Sequence, residues 1–309
     1  MTVTASTARE TTIAQAASVR RLGPSKSRDR GLGSLLFLGT LWFSLFFGVM
    51  VLMVLIVDTA VHGAPRFDGA LITRYDSTLH PESTGFRAGI LGTAWLMFFT
   101  ALFAVPLGVA AALHLEEFAD KRTWYNRLIE VNLQNLAAVP SVIYGLLAVA
   151  VMALAGFTFK GVVLGGAIAL ALLILPVIII ATREAIRAVP REIRDGSLAL
   201  GATLWQTTWR QTLPSAVPGI ATGTILGLSR AIGEAAPLLA LGIAGAVRFD
   251  PAGLTDGVTA LPIQIYRMAS NSQAAYQEAA SAGIVVLLAM ILLLNGLAIY
   301  VRNKFQRTW

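Results

Sequence analysis

Apolar residues collect in long runs separated by short polar stretches, and that alternation predicts an all-α, polytopic membrane helical bundle. The runs at 33–57, 88–113, 131–159, 161–182 and 279–301 contain no charge. Each exceeds the ~20 residues that a helix needs to cross the hydrocarbon layer. A sixth run, at about 215–247, is interrupted only by Arg230 and Glu234. Six transmembrane helices are therefore expected. Residues 1–30 are polar, rich in Ser, Thr and Arg, and lack an apolar period; they are expected to form a disordered cytoplasmic tail ahead of a membrane domain at 31–309.

Charge orients the bundle. Of the 24 Lys and Arg, seventeen lie in the tail, at 121–127, at 183–210 or at the C-terminus, and six lie in the alternate segments. By the positive-inside rule the first group faces the cytoplasm, with both termini. Composition agrees: the 309 residues are 56% hydrophobic and 13% charged, about half the charged fraction of a soluble domain. There is no Cys, and His62, His80 and His114 are far apart. No metal site and no resident cofactor are expected.

Two stretches interrupt the apolar pattern with chemistry. The first is the cation Arg230, with Glu234 one turn later. A charge in a span is costly and faces a bundle interior or a wet cavity. The pair can simply hold helices together. Alternatively, Arg230 meets an anion in transit while Glu234 orients it and trims its affinity. Gly219, Gly223 and Gly227, continued by Ala231 and Ala235, form a small-residue stripe that admits a close neighbour. Pro237 cannot donate to the Gly233 carbonyl, so the helix is expected to open just past the charges; Pro106, Pro140 and Pro176 mark other weak points.

The second is the polar island from Pro190 to Ile220. Ile193, Leu198 and Leu200 among charges predict a short amphipathic helix that Gly201 stops. Trp205 and Trp209 follow on one face. Such an element suits docking into a groove of a soluble partner, although an interfacial helix with aromatic anchors has the same look.

This island resembles the EAA loop of binding-protein-dependent ABC importer permeases. Asp195, Gly196 and Ser197 occupy the Glu-Ala-Ala positions, three residues lead to Gly201, nine more to Gln211 in the Ile position, and Leu213-Pro214 closes the motif. Asp for Glu, Gly-Ser for Ala-Ala and Gln for Ile depart from the pattern, while the spacing holds. Leu228-Ser-Arg-Ala-Ile-Gly-Glu-Ala-Ala-Pro-Leu238 and Leu136-Ala-Ala-Val-Pro-Ser-Val-Ile-Tyr-Gly-Leu146 are similar to segments of the phosphate importer permeases. The likeness spans roughly residues 88–301.

The resemblance implies a MetI-like, type I ABC importer permease that translocates inorganic phosphate by alternating access. It places Arg230 and Glu234 on the substrate pathway, with Ser141 and Tyr144 as weaker candidates. It implies that Asp195, Gly196, Ser197, Leu200, Gly201, Leu213 and Pro214 couple to an ATPase through a cytoplasmic loop at about 183–214. The implied partners are a related second permease, two copies of an ATPase, an external phosphate-binding protein and the lipid bilayer of a bacterial cytoplasmic membrane. No nucleic acid is implied. No Walker A pattern occurs in the chain, so ATP is expected to be used by the partner and this chain to be no enzyme. In this picture closure of the ATPase pair pushes on the 190–205 helix, and the fifth span carries the movement to Arg230. The competing readings are a permease for another oxyanion or solute of the same class, and an ion-coupled secondary transporter.

Overall fold

The computed structural model describes residues 32–305 except Thr78, Lys121 and Lys160; the expected tail at 1–30 lies outside them. The chain forms two compact units, 1–56 and 57–309. The described part of the first belongs to α1 (Leu32–Gly63). Leu36, Phe37, Trp42, Phe46 and Leu52 are all exposed on it, an apolar surface on every side that suits lipid or another helix.

The second unit is built around α6 (Val163–Arg187). Leu170, Ile174 and Ile178 on it are fully buried. Against α6 pack α3 (Arg87–Leu113), α5 (Ser141–Leu154) and α9 (Leu213–Ile232). The contact with α9 is made through small residues. A Cβ added at Gly219 would lie 2.5 Å from that of Ala185, and one at Gly223 would lie 2.3 Å from that of Ala181. The small-residue stripe thus has α6 as its neighbour, and dispersion between nearly bare backbones replaces interdigitated side chains. The N-terminal amides of α6 do not go unpaired: Val163 and Leu164 donate to the carbonyls of Asp256 and Leu254, at 3.0 and 2.8 Å.

Two expected spans are broken. The run at 131–159 is a bent pair, α4 (Trp124–Leu136) and α5, turned through 116°. Pro140 removes an amide and pushes Val139 out of the helical region. The Tyr144 hydroxyl donates to the Leu136 carbonyl at 2.6 Å, repairing one acceptor that the break exposes. The run at 215–247 is also discontinuous. After α9 comes an open turn at 233–235, then α10 (Ala236–Leu241), then irregular chain up to α11 (Leu261–Ala269). Gly242, at φ 87°, ends α10. Arg230, expected near mid-span, therefore sits in the last turn of its helix. Four described helices are long and apolar enough to cross a membrane, or five spans if the bent pair is one. They include α3, α6 and α12 (Ala274–Phe305). Length and composition stop short of the six expected.

The stretch at 64–87 is pinned rather than loose. It carries the short helix α2 (Gly69–Thr73), and buried Arg66 donates to the carbonyls of Pro81 and Thr84, both at 2.7 Å. Asp76 pairs with Arg267 of α11, and the Tyr276 hydroxyl donates to the Ser77 carbonyl at 2.8 Å. This anchors α2 and its loop to α11 and α12.

The α6–α9 seam makes a prediction. Gly223→Ala places a methyl where a rigid one already stands, so the helices must separate, with a loss of roughly 1–3 kcal/mol. Thermal unfolding of the purified protein in detergent checks this; an unchanged midpoint would show that the seam is loose.

Candidate functional site

The two helix breaks meet. Gly145 lies one residue after Tyr144 on α5, and a Cβ there would sit 2.2 Å from the Pro237 carbonyl oxygen at the start of α10. Only a glycine lets these chains touch so closely. Tyr144 is buried and lies within electrostatic reach of Arg230. Ser141, at the first turn of α5, is half-buried.

Arg230 and Glu234 remain adjacent although the helix ends between them. Arg230 Nε lies 3.5 Å from Glu234 Oε1, with side chains 45% and 23% exposed. That is a long, partly solvated contact, so the guanidinium keeps most of its donors available. Ala231 and Gly227 turn inward, and Arg230, about 100° around the helix from Ala231, stays exposed beside that face. The neighbouring Ser229 hydroxyl donates to the Ile225 carbonyl at 2.6 Å and lies 2.5 Å from the side-chain amide of Asn295, fixing α9 against α12. The arrangement holds a cation with free donors at the mouth of a helix opening, which suits an oxyanion. Sequence reasoning brought Arg230, Glu234 and Tyr144 forward. It missed Asn295, an isolated polar residue in the apolar run at 279–301 that was itself the available signal.

The polar island forms α7 (Arg191–Ala199) and α8 (Leu204–Thr207), followed by a wide turn at Thr208–Thr212 that leads into α9. The glycine stop is as expected. Gly201 has φ 85°, its amide donates to the Leu198 carbonyl at 2.9 Å, and the Ala202 amide reaches Ser197 at 3.2 Å. These are the two bonds of a left-handed helix cap. Thr203 and Gln206 cap α8 reciprocally. Leu200 is 91% exposed at the tip. Gly196, Ser197, Leu200, Gln206 and Arg210 border an open groove of about 440 Å³. The Trp205 and Trp209 rings meet at 56° with centres 5.4 Å apart, and the Phe118 ring lies 5.8 Å from that of Trp205. Asp195 lies on α7, and Leu213-Pro214 opens α9.

Beneath α7 lies a charge cluster that sequence reasoning overlooked. It joins Glu116 and Glu117, in a wide turn at the end of α3, to Glu130 of α4, Arg183 and Arg187 of α6, and Arg194 of α7. Acidic residues at 116–117 and 130 separated from their partners by more than fifty positions leave no local signature.

Over residues 104–307 the sequence matches the family described as binding-protein-dependent transport system inner membrane component. The chain belongs to that family. This inner-membrane component is accordingly a multi-pass membrane protein. It is 30% identical to the phosphate transport system permease protein PstA of Yersinia pestis, over 84% of this chain and 88% of the relative. To the protein of the same name from Haemophilus influenzae it is 29% identical, over 88% and 93%. Its fold is similar to a solved bacterial alginate ABC transporter in complex with an alginate pentasaccharide-bound periplasmic protein. That likeness has a TM-score of 0.57 and 19% identity, and it covers 89% of this chain and 96% of the other. The fold is therefore that of the MetI-like ABC importer permeases.

On the side opposite α7, Arg87 grips Asp250 with two nitrogens, at 2.6 and 3.1 Å, and its guanidinium lies 5.4 Å from the Tyr75 ring centre. The hydrogen bonds from Arg87 hold the Asp250 carboxyl below its ordinary range. A lowered carboxylate pKa stabilises the fold above the unfolded value, and the gain is lost as pH falls through the folded value. Asp250→Asn is expected to leave the 245–257 segment as protease-sensitive at pH 7 as the parent chain becomes only below about pH 4. Equal cleavage of both chains at pH 7 would show that the pair does not hold the segment.

Proposed function

We propose that this chain is the membrane subunit through which an ATP-driven importer passes inorganic phosphate, with Arg230 greeting the anion on its way. The observation that carries the reading is Arg230, a cation with free donors at a helix break. Its depth supports it. Ser229 faces Asn295 and Thr222 binds Arg302 at 3.0 Å, so α9 and α12 run antiparallel. Arg302 closes the charge-free stretch of α12. Eight residues separate Thr222 from Arg230, about 12 Å at the helical rise, near the middle of a ~30 Å hydrocarbon layer. Glu234 and the carbonyl end of α9 offset part of the charge, which favours release as well as capture. Tyr144 sets the edge of the break, and Ser141 offers a hydroxyl beside it.

The names of the relatives support phosphate as the substrate. In this reading a second, related permease completes the pathway, an external phosphate-binding protein delivers the anion, and a pair of ATPase subunits uses the ATP. The excess of Lys and Arg on the α7 side makes that side, and both termini, cytoplasmic. The ATPase is received by Asp195, Gly196, Ser197, Leu200 and Gly201 around the open groove, with Leu213-Pro214 starting the helix that leads to Arg230.

Arg230→Gln is expected to lower labelled phosphate uptake by roughly tenfold or more, the scale of a lost charged hydrogen bond, with normal assembly of the complex. Uptake at the parent rate, or uptake equally competed by sulfate, would overturn the assignment of Arg230 or of the substrate respectively. Gly201→Asp removes the left-handed stop of α7 and adds charge at its tip; co-purification of the ATPase with undiminished phosphate-stimulated hydrolysis would refute its coupling role.

A further inference from the structure

The charge cluster beneath α7 has a geometry that a merely solvated set of residues lacks. The side chains of Glu116 and Glu117 are only 5% and 6% exposed. Glu116 accepts from Arg183 Nε at 3.3 Å and from Arg187 Nε at 3.0 Å, while Arg183 Nη2 also donates to Glu130 at 2.6 Å. Arg194 is the member on α7. Its Nη2 donates to the Ile186 carbonyl at 2.7 Å, in the last turn of α6, and lies 2.8 Å from Glu117 Oε1 at the end of α3. One guanidinium nitrogen thus hydrogen-bonds the end of α6 and forms an ion pair with the carboxylate at the end of α3. Ile193, its neighbour on α7, packs on an apolar cluster of Leu113, Ile186, Val189, Ala216 and Ile220, so the α7 side is apolar as well as charged at this joint.

Buried carboxylates paired with arginine fix geometry because breaking one pair strands a charge away from water. A flexible contact would absorb a push on α7. A rigid one would pass it on. The route expected along the chain runs from α7 through the wide helical turn at 208–212 to α9. The charged joint instead ties α7 to α3 and α6, and α6 meets α9 backbone to backbone at the glycine seam.

We propose that Arg194 and Glu117 form the joint by which movement of the docked ATPase enters the membrane bundle, through α3 and α6 rather than through the loop into α9. They are positioning residues that touch no substrate. The proposal rests on the importer reading above, and it names how that machine is driven.

The test uses the complete transporter, with its second permease, ATPase and binding protein, in proteoliposomes. The variants are Glu117→Arg, Arg194→Glu, the double exchange and the milder Glu117→Gln. Phosphate uptake and ATP hydrolysis are measured on the same vesicles, and ATPase retention is measured by co-purification. Each single reversal is expected to keep the ATPase bound and hydrolysing while phosphate moved per ATP falls roughly tenfold, within the usual range of coupling between sites. The double exchange is expected to recover most of the loss, since the pair is restored with reversed sign. Unchanged phosphate per ATP in both reversals, or a double exchange no better than its parents, overturns the joint. If the reversals fail to assemble, Glu117→Gln decides: a parental ratio overturns the proposal, and a lowered ratio with intact assembly supports it. A parent complex that hydrolyses ATP but moves no phosphate would instead sink the importer reading for that anion, leaving the joint to be judged by ATPase stimulation alone.

Discussion

The structure depends on how closely α9 lies against α6. Gly219 and Gly223 face Ala185 and Ala181 with no space for another carbon. Because the seam admits no side chain, it fixes the rotation of α9 about its axis. That rotation sends Ala231 inward and Arg230 outward. The position of the cation is thus set by residues that carry no chemistry. Membrane helices gain little from hydrophobic contact with one another, so close backbone approach and interhelical hydrogen bonds such as Ser229–Asn295 must supply the cohesion.

A second constraint acts on the breaks. Backbone groups in hydrocarbon must be paired, so irregular chain is tolerated only where protein covers it. The breaks after Leu136 and Ile232 satisfy this by lying close together. Tyr144 caps one, and Gly145 receives Pro237 from the other. An opening in the bundle is thereby placed beside Arg230 without leaving bare carbonyls in lipid. Chemistry and backbone accounting are solved by the same few residues.

Much of this was legible in the order of residues. Charge-free runs located α1, α3, α6 and α12. The four-residue spacing of glycines announced a close seam, and Gly201 marked the end of α7. What hydropathy does not encode is where an apolar run bends. The residues at 131–159 average as one span, and only Pro140 hints at the turn; its angle of 116° is set by tertiary packing. Pro237 likewise announced the opening just past Arg230 and Glu234, but not the irregular chain that follows up to residue 260. The joint of Glu116, Glu117, Arg183 and Arg194 was hidden for a different reason. Its carboxylates lie more than sixty positions from its arginines, and each alone reads as an ordinary interfacial charge.

Leu200 stands almost fully in solvent at the end of a nine-residue helix, with Leu204, Trp205 and Trp209 exposed nearby. A surface of that kind is adhesive. Leaving such a leucine in water costs free energy that burial against an apolar surface would recover.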